Sequence, residues 1–276
     1  PLDVTGFLLL GAGLACLVFG LTVVGHGLVS PTVAGSLIGA GSLLLTAYVL
    51  HARKTEFPIL DLRLLAFPTF RASILGGSLF RIGIGAVPLL LPLMLQIGFG
   101  MNAFQSGTTT FVSSAGAMLM KATAPPLLRF FGFRPILIVD GLLSAGFFAI
   151  YGFFTPATPI LLMMGLLLLG GFARSLEFTS LNAIAYAEID DAAISRATSF
   201  AAVAQQLSLS LGVAVGAFVI DFARDARGGG DLTIADFRWA FIVVALISAS
   251  SIVSFIRLPA DAGGSLVGGK RTEVKA

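Results

Sequence analysis

Arg81, Arg174 and Glu177 are the residues of this sequence best placed to do chemistry, because each is ionic and each falls within or beside an apolar run. A run of roughly 20 apolar residues is long enough to cross a bilayer. Burying an arginine at the centre of one costs at least ~2.5 kcal/mol, so such a residue faces a bundle interior or a watered cavity. Arg81 is therefore expected to bind an anionic group or to pair with a carboxylate. Arg174 and Glu177 are spaced i, i+3 on a helix, where they can pair. Glu177 is a candidate proton carrier, with neutralisation by Arg174 as the structural alternative. Gln96, Asn182, Gln205 and Gln206 are polar groups at similar depth. They suit hydrogen bonds to a solute or between helices, the latter at ~0.6 kcal/mol each.

The elements that must hold these groups are legible from composition. Of 276 residues, 57% are hydrophobic and 11% charged, and the mean hydropathy is +0.98. A soluble domain is about 25% charged, so the fold class is all-α integral membrane protein. The net charge of +3 is spread between apolar runs instead of forming a patch, which excludes nucleic acid as a partner. One cysteine, Cys16, and two histidines, His26 and His51, leave no metal cluster, no cofactor site and no nucleophile with a partner base. An enzyme is not expected.

Eight spans follow, at about 4–25, 32–50, 70–97, 104–128, 136–154, a sixth from about 160 to 186, 197–222 and 237–256. Gly35/Gly39 and Gly212/Gly216 are small-residue pairs that suit close helix packing. In the third span Pro88 and Pro92 each remove a helical hydrogen bond, which predicts a bent helix lining a cavity. The sixth span has an ambiguous end, near Phe172 or near Tyr186; the longer reading keeps Arg174 and Glu177 in the membrane. Lys121 and Asp140 lie toward the ends of the fourth and fifth spans, near the basic turn Arg129–Arg134. Snorkelling or a gate-side salt bridge with Arg129 or Arg134 is expected of them. With this map Arg53, Lys54, Arg63, Arg71, Arg129, Arg134, Arg196, Arg257, Lys270, Arg271 and Lys275 share one side, against Arg224, Arg227 and Arg238 on the other. The positive-inside rule then puts both ends of the segment in the cytoplasm.

Four stretches carry a family resemblance: F-R-I-G-I-G-A-V-P-L-L-L-P-L-M-L-Q (80–96), K-A-T-A-P-P-L-L-R-F-F-G-F-R (121–134), F-T-S-L-N-A-I-A-Y (178–186) and R-A-T-S-F-A-A-V-A-Q-Q-L-S-L-S-L-G (196–212). Together they resemble the fourteen-helix drug:proton antiporters of the major facilitator superfamily. The resemblance implies a central helix pair at 1–50 and a C-terminal six-helix transporter half at 70–258; the charged, proline-containing stretch 51–69 reads as a cytoplasmic connector and the Gly-rich, polar stretch 259–276 as a disordered cytoplasmic tail. Leu128–Arg134, with Arg129, Gly132 and Arg134, is similar to the degenerate second copy of the superfamily's short basic loop. The family's antiporter signature and the acidic residue of its first helix would precede Pro1.

The resemblance thus implies part of a proton-coupled multidrug exporter of the inner (plasma) membrane. Its partners would be lipid, a small-molecule substrate, protons and an N-terminal six-helix half. Alone, such a segment offers one wall of a cavity and is not expected to transport. The alternatives are a facilitator for a sugar, organic acid or siderophore, and a non-transport membrane scaffold.

Overall fold

A computed structural model of the chain describes residues 3–26, 30–55, 58 and 60–266. Every regular element among them is helical. The long helices are α1 (Val4–His26), α2 (Pro31–Ala52), α3 (Pro68–Gly98), α4 (Ala103–Phe131), α5 (Phe133–Tyr151), α6 (Ile160–Ile184), α7 (Ile194–Ala226) and α8 (Ile234–Ile256). Seven are long and apolar enough to cross a membrane. The exception is α4, whose first half, Q-S-G-T-T-T-F-V-S-S, is rich in hydroxyl side chains.

Local signals set the helix starts. Pro31 opens α2 behind Ser30, where a missing N–H is harmless. Asn102 and Gln105 cap α4 reciprocally, Gln105 N–H donating to Asn102 Oδ1 at 2.8 Å and Asn102 N–H to Gln105 Oε1 at 3.1 Å. Asp236 accepts from the Thr233 N–H at 2.8 Å and from Arg227 Nη2 at 2.9 Å, closing the loop before α8. At the start of α1, Asp3 contacts His51 Nε2 at 2.8 Å, and this hydrogen bond holds the Asp3 carboxyl below the usual carboxylate range.

Packing places α3 at the centre, the most buried of the spans. It lies against α7 and α8, while α6 joins α4 and α5. A main core of Phe80, Leu90, Met94, Phe148, Phe237 and Phe241 fills the six-helix set. A second core, including Leu10, Tyr48, Leu64, Phe70, Ala185 and Phe200, fastens the α1–α2 hairpin to it. The rings of Phe70 and Phe200 meet edge to face at 5.5 Å.

Close approach uses some of the expected glycines and not others. Gly35 and Gly39 face open space, whereas a Cβ on Gly41 would lie 2.6 Å from the Leu17 backbone N, so Gly41 brings α1 and α2 together. In contrast, Gly212 does pack as expected, against the α3 backbone at Ile82 and Ala86. Within the stretch expected to be a tail, Gly264–Leu266 forms a helical turn. The rest of the expected disordered tail, 267–276, lies outside the described residues.

Candidate functional site

The site is built on a break in helix regularity. Residues 72–76 of α3 form a π-helical turn, and within it the Ser73 carbonyl accepts from Arg81 Nη1 at 3.0 Å. Ser73 Oγ in turn donates to the Leu181 carbonyl of α6 at 2.8 Å. Arg81 Nη2 donates to Asn182 Oδ1 at 3.0 Å, and the guanidinium carbon lies 5.7 Å from the Phe178 ring centroid. Gly77, one turn earlier, makes room: a Cβ there would lie 2.7 Å from Nη1. Arg81 is 1% exposed, so the charge is fully enclosed between α3 and α6.

Glu177 lies on the same helix as Asn182 and is 0% exposed. Neither carboxylate oxygen has a hydrogen-bond partner among the described residues. Its carboxyl packs on α5, where a Cβ on Gly141 would stand 3.4 Å from Oε1. The neighbouring Asp140 is 6% exposed, and its Oδ2 is also unpartnered. Asp140 directly precedes Gly141 on α5, and Arg81 reaches α6 at Asn182, five residues beyond Glu177. One cation and two carboxyl groups therefore share an interior seam of α3, α5 and α6. Ser144, Ser248 and Ser251 add buried hydroxyls without partners among the described residues. Isolated serines among apolar residues carry no distinctive spacing, so nothing in the sequence marks them.

Two expectations are corrected by this geometry. The long form of the sixth span is present, but Arg174 and Glu177 form no ion pair. Residues three apart on a helix differ by about 60° in direction, and here that angle sends Glu177 toward α5 and Arg174 toward α4. Arg174 Nη2 donates to Ser113 Oγ at 3.0 Å. Nor does Asp140 bridge to Arg129 or Arg134: it is buried about two turns inside α5. Arg134 Nη2 instead donates to the Ile256 carbonyl at the end of α8, at 3.0 Å, and Arg129 is exposed.

The basic turn is shorter than its sequence implies. A single residue, Gly132, separates α4 from α5, and its φ of 78° is the left-handed conformation that favours glycine. Lys121, Gln96 and Gln206 are exposed, and Gln205 is half-buried; none of the four joins the Arg81 cluster.

Among the described residues, no group of His, Cys, Asp and Glu could hold a metal ion. The sequence profile of the Major Facilitator Superfamily matches residues 73–274. Proteins carrying the provisional name multidrug resistance protein MdtD are 30% identical to the chain. One from Salmonella paratyphi B aligns over 271 residues, 98% of this chain and 58% of its own length. Another, from Pectobacterium carotovorum, aligns over 262 residues, 94% of this chain and 56% of its own. The chain thus spans rather more than half the length of the curated relatives it matches. With its all-helical membrane bundle and a profile match over most of its length, the chain belongs to the major facilitator superfamily.

Proposed function

We propose that the chain supplies the C-terminal half and central helix pair of a proton-coupled exporter of lipophilic or amphipathic compounds. It would sit in the inner (plasma) membrane with both ends of the segment cytoplasmic, and would work by alternating access with an N-terminal six-helix half. The multidrug-resistance name of the relatives supports the substrate class.

The observation that carries proton coupling is the Glu177–Asp140 pair. Two enclosed carboxyl groups, three of whose oxygens (both of Glu177 and Oδ2 of Asp140) have no hydrogen-bond partner among the described residues, share the seam with one arginine that is already committed to Ser73 and Asn182. With both ionised the cluster carries one negative charge in excess; one proton neutralises it. Burying an unbalanced charge is far more costly than burying a neutral acid. A conformation that opens the seam to water relieves that cost, so proton occupancy and conformation are linked. A proton drives alternation only if it binds the two states unequally, and such a difference in solvation supplies the inequality.

The test uses the full-length protein in everted membrane vesicles, following uptake of the lipophilic dye Nile red. Uptake should require an imposed proton gradient, stop when an ionophore collapses it, and be lost in Glu177→Gln. Uptake that persists without the gradient would mark a facilitator instead and end the antiporter reading.

A further inference from the structure

Arg174 lies outside the carboxylate seam. It opens onto a cleft of about 340 Å³ between α3, α4 and α6, lined among others by Pro88, Pro92, Thr110, Phe111 and Ser114. Among the described residues its one hydrogen bond goes to a neutral hydroxyl, Ser113 Oγ, and no carboxylate pairs with it. A guanidinium carries five donors in a planar fork suited to a carboxylate or sulfonate. The cleft pairs that charge with an apolar wall of Pro88, Pro92 and Phe111 and a hydroxyl-bearing wall of Thr110 and Ser114.

A second observation indicates which way the cleft faces. Gly107, Thr110, Ser114 and Lys121 recur at helical spacing along α4, the long helix that falls short of membrane-span hydropathy. Gly107, Ser114 and Lys121 are exposed. Such a stripe is poorly suited to hydrocarbon and well suited to a watered path.

We propose that this cleft binds the anionic group of an amphipathic organic anion, with Arg174 holding the charge and Pro88, Pro92 and Phe111 taking the apolar body. This deepens the transporter reading by naming a substrate class for one part of the path, and it rests on that reading for its role in transport. Arg81 serves a different purpose, since its charge is closed off between helices and cannot meet a solute.

Equilibrium dialysis of purified full-length protein at neutral pH, with 2-naphthoate and its uncharged analogue 2-naphthamide, tests the site directly. Wild type should hold naphthoate more tightly than the amide. Arg174→Gln should weaken naphthoate about tenfold and leave the amide unchanged, with partial recovery in Arg174→Lys. Ser114→Phe, at an exposed position, should narrow the cleft and weaken both ligands, so the site remains testable if the Arg174 variants fail to fold. Equal binding of acid and amide to wild type, or full naphthoate binding in Arg174→Gln, would overturn the proposal. Repeating the measurement in phosphatidylcholine nanodiscs with and without phosphatidylglycerol separates the two sources of an anionic group. Retained naphthoate supports a solute site, whereas displacement by phosphatidylglycerol assigns the cleft to a lipid headgroup and overturns it. Dialysis needs no transport, so naphthoate binding without gradient-driven Nile red uptake would remove the exporter and leave the site standing.

Discussion

Glu188, in the connector after α6, accepts two hydrogen bonds from Thr69 at the start of α3: one from the N–H at 2.9 Å and one from Oγ1 at 2.6 Å. A side chain 119 residues away thus caps the central helix, whose own Phe67 provides no cap. Asp61 reinforces the same end by accepting from Arg196 Nη1 at 3.1 Å, as does Tyr48, whose hydroxyl accepts from the Leu60 N–H at 2.6 Å. Removing the cap with Glu188→Ala should destabilise the protein by about 1–2 kcal/mol. Glu188→Gln, which keeps an acceptor, should lose less. Thermal unfolding of the solubilised protein checks this; a midpoint no lower than that of Asp190→Ala, at an exposed neighbour, would refute a capping role.

Gly85 of α3 meets the Leu209 carbonyl of α7, and Gly212 of α7 meets Ile82 of α3, so the two backbones touch at a reciprocal pair. A side chain at either position must push the helices apart. Gly85→Val should cost about 3 kcal/mol or more and reduce the yield of monodisperse protein, because a rigid backbone cannot move aside as a side chain can. Gly146→Val, where nothing lies within 4 Å, should be tolerated. Equal yields from the two variants would contradict the close-contact geometry.

Asn182 anchors Arg81, and the pair is suited to a double-mutant cycle. Asn182→Leu leaves a buried charged donor without its acceptor and should cost about 1.5–3 kcal/mol. Arg81→Met removes the charge but leaves the Ser73 carbonyl and the Asn182 amide without it. The double variant should be less destabilised than the sum of the two singles, since neither partner is then stranded. Additive losses in the unfolding midpoints would show that the 3.0 Å contact carries no coupling.

How far such relationships could be read from sequence depends on their range. Helix existence and approximate ends follow from apolar runs and nearby breakers. The depth of Arg81 follows from the same runs, because an arginine with apolar neighbours for many residues on either side has few places to go. Its partners do not follow. Asn182 lies 101 residues on, and the π-turn at 72–76 that presents the Ser73 carbonyl has no marker in composition. The i, i+3 spacing of Arg174 and Glu177 pointed to a pair, but spacing fixes only that both lie near one face. Which neighbour each meets depends on tertiary packing: Gly171 lets α4 approach at Ser113, and Gly141 leaves room for Glu177 on α5. Asp140 looked like a loop-side acid because Arg134 is close in sequence, yet α5 begins at Phe133 and carries it inward.

Asp3, just before the start of α1, gives a pH-dependent prediction. Folding lowers the Asp3 pKa through the His51 hydrogen bond, so the contact contributes stability above the unfolded value, about 3.9 for an ordinary aspartate. That contribution should be lost as pH falls through the folded value. The difference in unfolding midpoint between wild type and Asp3→Asn should therefore be present at about pH 5 and shrink below pH 4. A difference that stayed constant down to pH 3 would show that the contact does not depend on the carboxylate.

Glu177 and Asp140 give the sharpest functional prediction, because stability and activity should move in different directions. Glu177→Gln keeps the shape of the side chain and removes an ionisable group that has no hydrogen-bond partner at a fully enclosed position. Exchanging an unpartnered acid for a neutral amide should leave the unfolding midpoint unchanged or higher, while gradient-driven export by the full-length protein is lost. Asp140→Asn should impair export as well. If the two acids share one proton, Asp140→Asn should depress export as far as Glu177→Gln does, as expected of groups that act as a unit. Export rates measured across an imposed pH gradient decide it. Export retained in Asp140→Asn would mean that Glu177 acts without Asp140, and a destabilised Glu177→Gln that still exports would move Glu177 from proton carrier to structural support.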